Sequence, residues 1–145
     1  LRESCLCVHV IVMNDDLKMD TPDSIFPNNW VSFHKNGTVG LYPMFAENRR
    51  RERREEVMEC LEAEGFIING FMDYTAAEEE GYFLEGTGSL LMDRVHSKVY
   101  CAISPRADEE LVVEFCEDFE CDPVIFTANQ TAKGQRLPIY HTNVM

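Results

Sequence analysis

Asn29, Glu85 and His141 stand at equal intervals of 56 residues, and the same interval joins Arg50 to Arg106. These residue types suit the handling of a nitrogen-rich small molecule. Glu85 lies in "FLEGTGSL" between an apolar pair and Gly-Thr-Gly, where glycine lets the backbone turn sharply or approach another group closely. A carboxylate there can grip a cationic or N–H-rich group. His141, in "PIYHTNVM", has the side chain whose ordinary pKa lies nearest neutrality, which makes it a candidate general acid and base. Two arginines converging from equivalent places, Arg50 and Arg106, would suit a substrate carboxylate. Each residue also has a plainer reading: a solvated turn acid, a structural histidine, and arginines salt-bridged to the glutamates interleaved in "RRRERREE".

The spacing is meaningful only if the elements repeat with it. "VHVIVM" (8–13), "WVSFH" (30–34) and "VGLY" (39–42) read as strands, the last two joined by an Asn36-Gly37 turn. A helix follows from Asn48 as N-cap to Gly65 as stop, its second half carrying Val57, Met58 and Leu61 on one face, and then a strand "FIING" (66–70). The second half repeats the order. "SLLMD" and "VYCAIS" flank a turn at His96-Ser97, a helix from Asp108 lines up Leu111, Val112, Phe115, Cys116 and Phe119, and "PVIFT" closes the unit. The chain therefore reads as α/β, with strand-strand-helix-strand units at about 25–80 and 81–136 and the start of a third from 137.

Composition narrows the class. A net charge of -13, from 26 acids against 13 bases, disfavours nucleic acid and anionic membranes, because phosphate contacts need Lys and Arg. No apolar run approaches a membrane span of roughly 20 residues, and no signal peptide opens the chain, so it reads as cytoplasmic. Six cysteines without a C-x-x-C pair read as reduced, mostly buried thiols. No metal or cofactor site is expected, since the histidines are scattered and Cys5-x-Cys7 has the wrong spacing for zinc.

The segments "TPDSIFPNNWVSFH", "LYPMFAENRRRERR", "FLEGTGSLLMDR", "AISPRADEE" and "PIYHTNVM", taken together, resemble the guanidine-modifying pentein superfamily. Within it they are most similar to the amidinotransferase-like branch that includes citrulline-utilization hydrolases. The resemblance implies an α/β propeller of five strand-strand-helix-strand units, of which about two and a half would be present. By it, Glu85 and His141 resemble the catalytic glutamate and histidine, and Arg106 the arginine that holds a substrate carboxylate. Arg50 resembles a substrate-facing or conformationally important arginine of the R-R-x-E motif. Asn29 and Asn143 fall where deiminases carry aspartates. Asparagine offers both a donor and an acceptor, which suits a neutral ureido group better than a guanidinium.

The implied chemistry is covalent, with a cysteine thiolate as nucleophile, converting citrulline to ornithine, ammonia and carbon dioxide. None of the six cysteines stands where the family carries that thiol, so the nucleophile is expected outside this chain, which alone would be inactive. Because the chain begins with Leu rather than Met, it reads as a processed product or a piece of a longer protein. Alternatives are an amidinotransferase or arginine deiminase and, in another class, a non-catalytic pentein that binds a metabolite or a protein. The partner in either enzyme reading is a small ureido or guanidino amino acid. An open repeat array exposes strand edges, so a homo-oligomer or association with the rest of a longer molecule is also expected.

Overall fold

The computed structural model describes residues 10–15 and 18–145. Strand β1 (Val31–Phe33) pairs antiparallel with β2 (Thr38–Leu41), and β3 (Gly70–Asp73) returns parallel to β2 after helix α1 (Glu55–Ala63). Then β4 (Leu91–Asp93) pairs antiparallel with β5 (Lys98–Ala102), and β6 (Asp122–Phe126) returns parallel to β5 after α3 (Glu109–Asp118). A short helix α2 (Gly86–Ser89) precedes β4. The two three-stranded sheets thus have the same topology.

Both hairpins turn where the sequence predicts. Gly37 and Ser97 have positive φ, and a side chain on Gly37 would meet the Asn69 amide. Helix α3 starts at Asp108, whose carboxylate accepts from the Glu110 N–H. It buries Leu111, Val112, Phe115 and Cys116 against Val99, Cys101, Leu84 and Leu90. Tyr42 and Tyr74 of the first unit enter the same core, so the two units share it.

Several elements depart from expectation. Val10–Met13 form no strand, and Val8, His9, Cys5 and Cys7 lie outside the described residues. The third strand of the first unit begins at Gly70, where Phe66–Gly70 was expected, because the ladder pairs Thr38 with Gly70 and continues to Leu41 with Asp73. The helix expected from Asn48 is two pieces. Glu47–Glu52 form a 3-10 segment, Arg53 and Arg54 are extended, and α1 starts only at Glu55. Three residues per turn aligns Arg49 with Glu52, whose side chains bond at 2.9 Å, and the following turn has no such pair to sustain it.

The last departure lies near the C-terminal end. The residues after Pro138 do not enter a strand. Instead β7 (Asn129–Ala132) and β8 (Gln135–Pro138) form a separate hairpin, and Thr142–Val144 make a 3-10 turn. The hairpin bends at Lys133-Gly134, both with positive φ, as a primed two-residue turn requires. Among the described residues no helix is long and apolar enough to cross a membrane, and no group of three or more His, Cys, Asp and Glu could hold a metal.

Candidate active site

Glu85 and His141 come together in a buried pair. Glu85 is fully buried, and its Oε2 lies 2.5 Å from His141 Nε2. Arg106 Nη1 reaches the same carboxylate at 3.0 and 3.3 Å, and the Phe45 backbone N–H donates to Oε1 at 3.1 Å. Burial alone would raise the Glu85 pKa, but the His141 hydrogen bond and the Arg106 charge together hold it below the ordinary carboxylate value.

Backbone and hydroxyl contacts fix each member. The Glu85 N–H donates to Arg106 O, and Ser89 Oγ donates to the same carbonyl. Thr142, next to His141, donates to Ser89 O at 2.6 Å and accepts from Ala102 N at 2.9 Å, pinning the histidine to α2 and β5 at once. Gly86 lies against the Asn28 and Asn29 carbonyls, where a Cβ would stand 2.4 Å from Asn28 O. Gly88 faces the imidazole: a Cβ there would meet His141 Nδ1 at 3.0 Å and Asn29 Oδ1 at 3.3 Å. The Gly-Thr-Gly stretch is therefore a double close approach, which also brings the buried Asn29 amide beside His141.

The arginines sort differently from their sequence reading. Arg50 does not reach Glu85: its Nε donates to Met44 O at 3.0 Å and lies 3.3 Å from Glu78, with its guanidinium over Phe83. The arginine of this run that faces the pair is Arg49, whose Nη1 is 4.0 Å from Glu85 Oε2 while it forks onto Glu52. The polar first turns of "NRRRE" and the Arg49–Glu52 spacing were the available signal for it. Asn143 is exposed, with its Nδ2 3.5 Å from Thr87 O, and makes no hydrogen bond to Glu85 or His141.

No described thiol reaches the pair. Cys101 and Cys116 are buried, and burial pushes their thiols up to about 12 and about 11. Cys60 lines a cavity of about 600 Å³ in the first unit, with Trp30, Val57 and Leu61. Glu85, His141 and Arg106 are not among the residues lining it.

Residues 3–145 match the family model described as N,N dimethylarginine dimethylhydrolase, eukaryotic. No curated protein matches the chain. Among solved structures, the N-terminal domain of ArgZ bound to substrate, an arginine dihydrolase from the ornithine–ammonia cycle in cyanobacteria, aligns over 81% of this chain at 16% identity and a TM-score of 0.57. Dimethylarginine dimethylaminohydrolase, as its adduct with 4-chloro-2-hydroxymethylpyridine, aligns over 84% at 17% identity and a TM-score of 0.51. At such identities these likenesses speak for the fold. The chain spans 40% and 43% of those two chains.

Proposed function

Because the chain belongs to the eukaryotic N,N-dimethylarginine dimethylhydrolase family of guanidino-modifying penteins, we propose that it supplies the acid/base part of a hydrolase cleaving a linear C–N bond in a ureido or guanidino amino acid. The observation that carries this reading is the buried Glu85–His141 pair between Arg106 and Arg49. With Glu85 ionised, the hydrogen of the 2.5 Å contact belongs to His141 Nε2, which leaves Nδ1 as the proton-accepting nitrogen. Glu85 thereby orients the histidine, as a carboxylate does in a nucleophile–histidine–acid arrangement.

In this reading a cysteine thiolate from outside the described residues attacks the central carbon. His141, whose Nδ1 has taken the thiol's proton, then passes that proton to the departing amine as the C–N bond breaks, leaving the carbon bound to sulfur. Nδ1 next takes a proton from the water that cleaves the C–S bond of this thiocarbamate, the thiolate is restored, and the carbamate released from citrulline loses carbon dioxide to leave ornithine. Arg106 meets the substrate's carboxylate, and Asn29 faces its ureido end. Asn143 and Arg50, further out, shape the approach.

We favour citrulline, with ornithine, ammonia and carbon dioxide as products. Around Glu85 the nearest charges cancel, Glu85 and Glu52 against Arg106 and Arg49, so nothing there calls for another cation. Asn29, where an aspartate would add negative charge, points the same way. Arginine or dimethylarginine is the runner-up within this chemistry. The lack of a usable thiol among the described residues favours a second reading, a non-catalytic pentein that binds such a metabolite.

The test uses the natural full-length protein incubated separately with citrulline, arginine and N,N-dimethylarginine. Ornithine and ammonia formed from citrulline support the reading, and turnover of only a guanidino substrate sinks the choice of citrulline. Binding without turnover of any of the three selects the non-catalytic alternative.

A further inference from the structure

Two aromatic rings at this site belong to neither hydrophobic core. Phe45 is 45% exposed and Tyr140 is 49% exposed, and neither is among the residues of either buried cluster. Large exposed rings on so acidic a chain need a reason, and their neighbour supplies one. The Arg106 guanidinium lies over both, 5.6 Å from the Phe45 ring centroid and 5.8 Å from that of Tyr140. Both distances are within the range of a cation–π contact.

Each of the two residues is also tied to the pair, Phe45 through its backbone and Tyr140 through its ring. The Phe45 backbone N–H bonds Glu85, and the Tyr140 ring packs on His141 with centroids 5.0 Å apart. The Tyr140 carbonyl accepts from Ser104 Oγ, which in turn accepts from the Arg106 N–H, so Tyr140 and Arg106 are coupled through the backbone as well. The bonds from the guanidinium to Glu85 all come from Nη1. Its side chain keeps 28% exposure, which leaves an accessible side for an anion.

We propose that Phe45 and Tyr140 are positioning residues: their rings hold the Arg106 guanidinium so that Nη1 stays on Glu85 while Nε and Nη2 receive the carboxylate of an amino-acid substrate. This rests on the hydrolase reading above for its substrate, and on the geometry alone for the clamp. Without the rings, a long arginine side chain samples several rotamers and must be ordered by each incoming substrate, which weakens binding more than it slows chemistry.

The experiment compares Tyr140→Leu, Tyr140→Phe and Phe45→Leu in the full-length protein. Losing one ring raises KM for citrulline, or for whichever amino acid is turned over, about fivefold with little change in kcat. Tyr140→Phe keeps the ring and the wild-type KM. Turnover of N-propylurea, which has no carboxylate, does not respond to Tyr140→Leu. In the ligand-free protein the Arg106 Nε–H resonance, shifted by the ring currents, moves to the position of a solvated arginine in both Leu variants and stays put in Tyr140→Phe. An unmoved resonance, or an unchanged KM in both Leu variants, overturns the clamp. If no ureido or guanidino compound is turned over, the hydrolase reading fails, and the resonance still decides the clamp by itself.

Discussion

The two strand-strand-helix-strand units share one topology and differ in how tightly their helices are held. In the second, α3 buries Leu111, Val112, Phe115 and Cys116, and Phe115 packs within about 6 Å of the rings of Tyr42, Tyr74 and Phe119. In the first, α1 has no buried residue: Val57 and Met58 only partly cover Trp30, Val31 and Val39, and Val57 and Leu61 border an open cavity. The difference is not one of charge, since four of the nine residues of α1 and five of the ten of α3 are charged. It lies in the inner stripe: α3 sets Leu111, Val112, Phe115 and Cys116 at i, i+1, i+4 and i+5, whereas in α1 the stripe of Val57, Met58 and Leu61 stops at Glu62. Repeated topology therefore does not carry repeated packing, and the Glu85–His141 pair is built onto the well-packed unit, with Phe45, Arg49 and Asn29 reaching across from the other.

The strongest challenge to this comparison is truncation of each helix. Phe115→Ala is expected to cost about 3–5 kcal/mol in chemical denaturation, since a fully buried ring is lost and its cavity cannot collapse easily. Val57→Ala, on the half-covered face of α1, is expected to cost no more than about 1 kcal/mol. Equal costs would mean that the units are equally packed in solution. A smaller effect comes from the helix start. Asp108→Ala removes the side-chain acceptor for Glu110 N–H and should cost about 1 kcal/mol. At Arg54, which makes no cap bond to α1, Arg54→Ala should leave the helix start unaffected, as read by amide exchange at the first turn of each helix.

A further expected effect, absent at neutral pH, sits at the seam between the units and depends on pH. His34 stacks on Phe119 with centroids 3.9 Å apart, and its Nε2 is 2.9 Å from Ser32 Oγ, which is bonded to the buried Tyr42 hydroxyl at 2.6 Å. Burial, with the Arg94 charge, lowers the His34 pKa to about 4. The folded state thus binds a proton less readily than the unfolded chain, so this contribution is complete above about pH 6.5 and is lost as pH falls toward 4. Denaturation midpoints measured over that window should fall less steeply for His34→Gln than for the unchanged protein. Parallel slopes would show that the seam does not sense the proton.

Much of this was legible in local sequence, for reasons that can be named. The inner stripe of α3 follows from its apolar spacing, its start from Asp108, and the turns at Gly37 and Ser97 from residues that separate two strand-like runs. The equal spacing of Asn29, Glu85 and His141 was visible too, and the structure brings all three to Gly86–Gly88. The missed β7–β8 hairpin shows the opposite case. Its strands are polar and exposed on both faces, so no alternation announces them, and Lys133-Gly134 is a weaker turn signal than Asn-Gly.

By itself the sequence determined the strand-strand-helix-strand order within the two units, the amphipathic face of the second unit's helix and the glycines that permit close approach, because each depends on neighbours a few residues apart. Only the tertiary structure decided which arginine faces Glu85. A 3-10 backbone advances about 120° per residue where an α-helix advances about 100°, so over two turns it redirects side chains that a helical reading would place elsewhere. That rotation turns Arg49 toward the pair and sends Arg50 to Met44 and Glu78. The clamp on Arg106 was hidden for a related reason. Phe45 and Tyr140 are 95 positions apart in the chain, and only the packing of one unit on the other lays the guanidinium over both rings.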